Sequence, residues 1–152
     1  MIEFNPTIVI MASALKQVET CERTPQESIK TNVLGVNNVV DATILHSNRL
    51  KKLKSVLLVS TDKACAPTNV YGMSKALAER LVVSAHNENK NIKYMAVRYG
   101  NVLESRGSIV PLFRFQSEFK NHLTVTHPDM TRFIMTLDES VDLIVSTLKK
   151  AN

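Results

Sequence analysis

Two short, unbroken apolar runs constrain this chain more than any other feature. They are Ile8-Val9-Ile10-Met11 after Thr7 and Val56-Leu57-Leu58-Val59 within residues 55–60, and a third strand segment, 92–99, follows with Lys93 and Arg98 among its apolar residues. A strand with one wet face alternates polar and apolar residues, whereas a strand covered on both faces reads as a continuous apolar run. The two unbroken runs therefore predict buried strands of a parallel sheet, and 92–99 a third strand. Parallel neighbours need a long crossover connection, usually a helix, and the sequence between the runs supplies it. Ile29, Val33, Val36, Val39, Val40, Thr43 and Ile44 recur at helical spacing after Pro25, predicting a helix from 25 to about 46. A second helix is expected over 70–86, with Ala76, Leu77, Leu81 and Val82 on its inner face. Past Gly107 come a helix to about residue 120, a short strand near 123–125, and a closing helix with Val141, Ile144, Val145 and Leu148 inward. Strand and helix in alternation give an α/β fold with a parallel sheet.

Size and charge exclude several classes. The 152 residues make one domain at most, and 44% hydrophobic residues suffice for a core. No apolar run approaches the roughly 18 residues of a membrane span, and the N-terminus lacks a signal peptide's pattern. A cytoplasmic protein with no membrane partner is therefore expected. Cys21 and Cys65 form neither a disulfide framework nor a metal quartet, and suit a reducing compartment. His46, His86, His122 and His127 lack metal-ligand spacing, so no metal is expected. The net charge of +5 favours anionic partners. Aromatic residues are only 5% of the chain and do not interleave with the basic ones, which argues against nucleic acid. The basic connector Arg49, Lys51, Lys52 and Lys54 reads as a solvated turn.

Ligands of parallel α/β sheets sit beyond the C-terminal ends of the strands. Here those ends are 12–16, 60–63 and 99–102. The second carries Ser60-Thr61-Asp62-Lys63, followed by Tyr71 and Lys75 at i and i+4 of a helix start. An ammonium beside a phenol favours the phenolate and lowers its pKa toward working pH. Taken singly, Tyr71 and Lys75 also fit an exposed helix face, and Asp62-Lys63 a turn with a surface ion pair. Their joint occurrence after a buried strand favours a reaction site.

The run from Thr61 to Lys75, with Val97-Arg98-Tyr99-Gly100-Asn101-Val102 and Ser105-Arg106-Gly107-Ser108-Ile109-Val110-Pro111 downstream, resembles the extended short-chain dehydrogenase/reductases. Within them it is similar to the nucleotide-sugar 4,6-dehydratases of polysaccharide biosynthesis, above all the C5-inverting UDP-N-acetylglucosamine 4,6-dehydratases. The resemblance runs from about residue 6 to 149. The adjacent Asp62-Lys63 pair is its most specific feature, since 4-epimerases have no such acid–base pair.

The resemblance implies a UDP-sugar substrate, an NADP cofactor (with NAD as the alternative) and the following roles. Tyr71 takes the proton of the sugar 4-hydroxyl while C4 is oxidised, and Lys75 holds Tyr71 and the nicotinamide ribose. Lys63 is the base at C5, Asp62 the acid for the departing 6-hydroxyl, and Thr61 a hydrogen-bond partner at O4. Lys63 must then be neutral and Asp62 protonated. Ala12, Ala14 and Lys16 would line the cofactor, together with Val102. Asn32 would stand near it, or be an exposed polar helix residue. Asn101 would meet the substrate, and Arg106 and Arg132 would grip its diphosphate. The helices at about 25–46 and 70–86 resemble the pair through which such enzymes dimerise, so a homo-oligomer is expected.

Only four glycines occur, and none forms the Gly-rich turn that holds a dinucleotide pyrophosphate. In the strand order 3-2-1-4-5-6, the chain reads as strand 4 onward. Residues 1–152 are therefore expected to be the C-terminal half of a Rossmann-like, NAD(P)-binding domain, lacking strands 1–3, with part of a substrate lobe at about 103–135. Such a piece should bind NADP+ poorly and be inactive alone. Two other readings stay open: a nucleotide-sugar 4-epimerase, and a non-catalytic partner or pseudoenzyme fragment.

Overall fold

The computed structural model describes residues 1–105 and 107–151. Three strands form one parallel sheet in the order β1 (Ile8–Met11), β2 (Ser55–Thr61), β3 (Lys93–Tyr99). Ile8 pairs with Ser55, and Thr61 at the end of β2 pairs with Tyr99 at the end of β3. The parallel α/β sheet expected from the alternation of strands and helices, and the Rossmann-like arrangement that the resemblance implies, are observed.

Every residue of β2 is buried, because the sheet is covered on both sides. Val56 and Leu58 point to a core shared with Val36, Val40, Ala78, Val82 and Ala85. These come from helices α3 (Gly35–Leu45) and α4 (Val70–Glu88). Leu57 and Val59 point the other way, with Val97, to Leu143, Ile144 and Leu148 of α6 (Leu137–Ala151). Side chains that alternate between two apolar layers explain why the run never breaks with a polar residue. β1 differs from expectation. It lies at the sheet edge, where Ile8 and Ile10 are exposed and only Met11 is buried.

The expected first long helix is helical from residue 25 to 45 but not uniform. It opens as α2 (Pro25–Ser28), passes through a π-helical turn (Ile29–Leu34) and continues as α3. The Gly35 amide bonds the Lys30 carbonyl five residues back, the signature of an inserted residue. A short helix α1 (Val18–Arg23) went unforeseen; only Cys21 of it is buried, so no apolar periodicity announces it.

Three other details depart from the sequence reading. On α4 the sheet-facing side is Ser74, Lys75, Ala78, Glu79, Val82 and Ala85, and Leu77 is exposed. On α6, Leu143 faces inward while Val141 and Val145 are exposed. Residues 123–125 form no strand. The Thr124 amide donates to Gln116 Oε1 at 2.9 Å and Gln116 Nε2 donates to Thr124 Oγ1 at 3.2 Å, so a side chain of α5 (Ile109–Phe119) satisfies that backbone instead of a ladder. The strands that do form there are short, β4 (Asn101–Val102) paired in parallel with β5 (Ile134–Met135). No helix among the described residues is long and apolar enough to cross a membrane.

Candidate active site

The C-terminal ends of β2 and β3, the N-terminus of α4 and the segment after β1 enclose a cleft of about 700 Å³. β2 ends at Thr61, whose Oγ1 accepts from the Lys63 amide at 3.4 Å and caps a single 3₁₀ turn over Asp62–Ala64. Asn69 caps α4 by accepting from the Gly72 amide at 2.8 Å, fixing Tyr71 and Lys75 in its first turns. Gly72 is required here, because a Cβ would stand 2.3 Å from the Lys63 carbonyl oxygen. Helix and turn thus meet backbone to backbone.

The cleft collects most of the residues singled out from sequence. Ala12, Ala14, Lys16, Thr61, Lys63, Tyr71, Lys75, Asn101, Val102 and Arg132 all line it. Asp62 faces an adjoining cavity of about 320 Å³ bounded by Arg98, Phe133 and Leu143. Arg106 lies outside the described residues. Arg132 is exposed at the rim, with Nη1 donating to the Thr131 carbonyl at 2.9 Å.

Asn32 is not in the cleft, nor is it an exposed helix residue. It is 0% exposed in the π-helical turn, behind the segment that follows β1. Its Oδ1 accepts from the Leu15 amide at 2.8 Å, and its Nδ2 donates to the Leu15 carbonyl at 2.9 Å and to Ser74 Oγ at 3.0 Å. Ser74 Oγ in turn donates to the Tyr71 carbonyl at 2.8 Å. Asn32 therefore ties the Ala12–Lys16 segment to the helix carrying Tyr71. Polar helix residues that turn inward leave no trace in hydrophobic periodicity, which is why this role was not legible.

Asp62 and Lys63 form an ion pair, Nζ to Oδ1 at 3.1 Å, and Lys63 Nζ also donates to Asn101 Oδ1 at 2.9 Å. Burial alone would raise the Asp62 pKa. Hydrogen bonds from Thr61 and Lys63, and the field of the Lys63 ammonium, outweigh burial and hold it below the ordinary carboxylate value. The protonated Asp62 expected from sequence is thus not the resting form. Tyr71 departs likewise: burial pushes its phenol up rather than down, partly offset by the nearby Thr61 hydroxyl. Lys75 does not act on it directly. At 1% exposure, its Nζ donates to the Val59 carbonyl at 2.7 Å, and burial, opposed by the Glu79 carboxylate, brings its pKa down to about 8.

Sequence reasoning missed Glu79 and Arg98. Glu79 stands one turn after Lys75 on the same face of α4, and that i, i+4, i+8 spacing from Tyr71 was the available signal.

Known proteins bear on this geometry. The family model described as polysaccharide biosynthesis protein matches residues 1–152. A protein of Rickettsia bellii (strain OSU 85-389) named UDP-glucose 4-epimerase is 47% identical over 139 residues, covering 90% of this chain and 39% of the relative. The capsular polysaccharide biosynthesis protein CapD of Staphylococcus aureus is 42% identical over 95% of this chain and 23% of its own length. The crystal structure of Pen from Bacillus thuringiensis superposes with a TM-score of 0.84 at 39% identity, over 93% of this chain and 44% of that one. The chain thus spans less than half the length of each. A match along its whole length, joined to a parallel sheet with Tyr71 and Lys75 at its C-terminal edge, leads to one assignment: the chain belongs to the polysaccharide biosynthesis protein family, within the extended short-chain dehydrogenase/reductases.

Proposed function

We propose that these residues perform nucleotide-sugar 4,6-dehydration, on UDP-N-acetylglucosamine, for polysaccharide synthesis. The Asp62–Lys63 ion pair at the mouth of β2 carries this reading. Dehydration needs a base for the proton at C5 and an acid for the oxygen at C6. Moving one proton from Lys63 Nζ to Asp62 Oδ1, 3.1 Å away, makes both at once: a free amine and a neutral carboxyl. Lys63 then takes the C5 proton, the C5–C6 double bond forms, the C6–O bond breaks, and Asp62 gives its proton to the departing hydroxyl, which leaves as water. The pair ends as it began, an ammonium beside a carboxylate. Asn101 holds Lys63 Nζ in place throughout.

Earlier in the cycle Tyr71 must first lose its own proton, and the positive charge of an oxidised nicotinamide bound beside it would favour the phenolate against burial. The phenolate then accepts the proton of the 4-hydroxyl, and the 4-ketone so formed acidifies the C5 proton. The small side chains of Ala12 and Ala14 leave the cleft open beside buried Lys75, which suits a flat nicotinamide ring. A nicotinamide dinucleotide, NADP+ or NAD+, would lie along Ala12, Ala14, Lys16 and Val102 against Tyr71 and Lys75, and would supply reversible oxidation at C4 and the matching reduction at C6. Thr61, which lines the cleft beside Tyr71, would meet the sugar O4. Arg132, with Arg106, serves the diphosphate. We further propose a homo-oligomer through the outer faces of helices 25–46 and 70–86, where Ile29, Leu34, Met73 and Leu77 are exposed.

A second reading, 4-epimerisation, is favoured by the name of the Rickettsia relative. Incubation of a full-length protein carrying this chain with UDP-N-acetylglucosamine and NADP+ in heavy water separates the two. Dehydration yields a product lighter by one water with deuterium at C5; epimerisation yields an isomer with neither change. Lys63→Ala should abolish exchange at C5 and leave cofactor binding intact. Undiminished exchange in that variant would remove Lys63 from the reaction.

A further inference from the structure

Glu79 is a carboxylate with no part in the steps above, yet it is 8% exposed on the sheet-facing side of α4. A buried carboxylate is costly unless paired and hydrogen-bonded. Two strands satisfy this one. Arg98 of β3 grips it as a fork, with Nη2 to Oε2 at 2.6 Å and Nε to Oε1 and Oε2 at 2.9 and 3.1 Å. Ser60 of β2 donates to Oε1. Ser60 and Arg98 are register partners, one residue before Thr61 and Tyr99. The carboxylate is therefore pinned to the strand ends that form the cleft floor.

Lys75, one turn earlier on α4, has the Val59 carbonyl as its hydrogen-bond partner. Other ionisable groups stand around it: Tyr71 on its own helix, Asp62 and Lys63 on the turn, Tyr99 at the end of β3, Lys16 and Glu19 across the cleft. Burial lowers the Lys75 pKa, and Glu79 is the group whose charge opposes that effect. The relation is mutual. Burial would raise Glu79, but hydrogen bonds from Arg98 and Ser60 and the charges of Arg98 and Lys75 bring it below its ordinary value.

We propose that Glu79, clamped by Arg98 and Ser60 one helical turn from Lys75 and anchored at the β2 residue next to the Val59 carbonyl that Lys75 bonds, is a positioning residue whose fixed charge favours the Lys75 ammonium at the cleft floor, and that Arg98 tunes this effect by neutralising part of the Glu79 charge. Its bearing on catalysis rests on the reading of Tyr71 and Lys75 given above. The electrostatic coupling itself does not.

The test is NMR titration of the chain with ¹³C-labelled lysine and glutamate, the Lys75 Cε signal being assigned with Lys75→Arg. Unmodified, Lys75 should titrate near pH 8, and the Glu79 Cδ signal should inflect at the same pH. Glu79→Gln should move the Lys75 midpoint down by about one pH unit, and Arg98→Gln should move it up. A role confined to packing would admit water in both variants and move both midpoints upward. Two upward shifts, or two unmoved midpoints, overturn the proposal. Should Glu79→Gln not fold, a Glu79 signal that stays flat through pH 8, or an Arg98→Gln midpoint that fails to rise, overturns it equally. Loss of turnover in every variant, with the titrations as stated, counts against the reading of the reaction and leaves this coupling standing.

Discussion

Asn32 and Leu15 hold each other by a reciprocal pair of hydrogen bonds, 2.8 Å from the Leu15 amide and 2.9 Å to its carbonyl. One side chain thereby satisfies both backbone groups of Leu15 in the segment after β1. Asn32→Ala leaves both groups of Leu15 without that partner. The variant should lose about 2–3 kcal/mol in urea unfolding, and the Leu15 amide should exchange much faster with solvent. Unchanged exchange at Leu15 would show that the segment is held by something else.

Gly72 carries a second expectation. A Cβ at that position meets the Lys63 carbonyl oxygen at 2.3 Å and the Pro67 side chain at 3.1 Å, and backbone cannot rotate aside as a flexible side chain does. Gly72→Ala should cost about 1–3 kcal/mol despite alanine's better helix propensity. It should also perturb the Lys63 and Asn101 resonances. A gain in melting temperature would contradict the contact.

Gly100 sits under the same constraint from the other side of the cleft, where a Cβ would stand 2.3 Å from the Phe133 carbonyl oxygen. The neighbouring Asn101 amide donates to that same oxygen at 2.7 Å. Gly100→Ala should force β4 and β5 apart and make residues 103–133 cleave faster in limited proteolysis, with the parallel sheet intact by circular dichroism.

Buried Lys75 gives stability a definite pH dependence. Its folded pKa of about 8 lies below its ordinary 10.5, so between these values the unfolded chain binds more protons than the native one. Stability from this group therefore rises with pH through that window, by about 3 kcal/mol in full. Tyr71, Tyr94 and Tyr99 are all raised from 10.0, which makes them oppose the trend above pH 10. Denaturant midpoints measured from pH 7.5 to 9.5 should climb, and Lys75→Met should flatten the climb. At the acid end, Asp62 and Glu79, both lowered, contribute stability above their ordinary values that is lost as pH falls through the folded ones. Glu79→Gln should soften that acid limb.

Leu77→Glu tests the proposed oligomer. Leu77 is exposed on the outer face of α4, so the fold should survive the charge. Light scattering should then report a smaller mass than for the unmodified chain; an identical mass places the contact elsewhere.

The parts of the molecule legible from sequence were those written in apolar periodicity. The middle of β2, Val56 to Val59, was plain because a strand sealed on both faces favours an unbroken apolar run. Tyr71 and Lys75 were legible because i, i+4 spacing on a capped helix fixes a common face. Where polar side chains face inward, periodicity points the wrong way: Ser74 and Glu79 occupy the inner face of α4, and Leu77 was assigned there in their place. Charge states were equally out of reach. Tyr71 is pushed up by burial, and Lys75, whose Nζ donates to the Val59 carbonyl, is turned away from countering it. The β4–β5 pair is two residues long on each side, too short for any pattern to mark it.

That small ribbon has a consequence for how such a protein can diversify. Its two strands bring both ends of the intervening excursion, residues 103–133, side by side. Lengthening a loop whose ends are already held together adds little entropic cost. Insertions inside the excursion can therefore leave β2, β3 and α4 in place. Because Ser105, Ser108, Ile109 and Arg132 border the cleft, such changes would reshape its rim while Tyr71 and Lys75 keep their positions on α4.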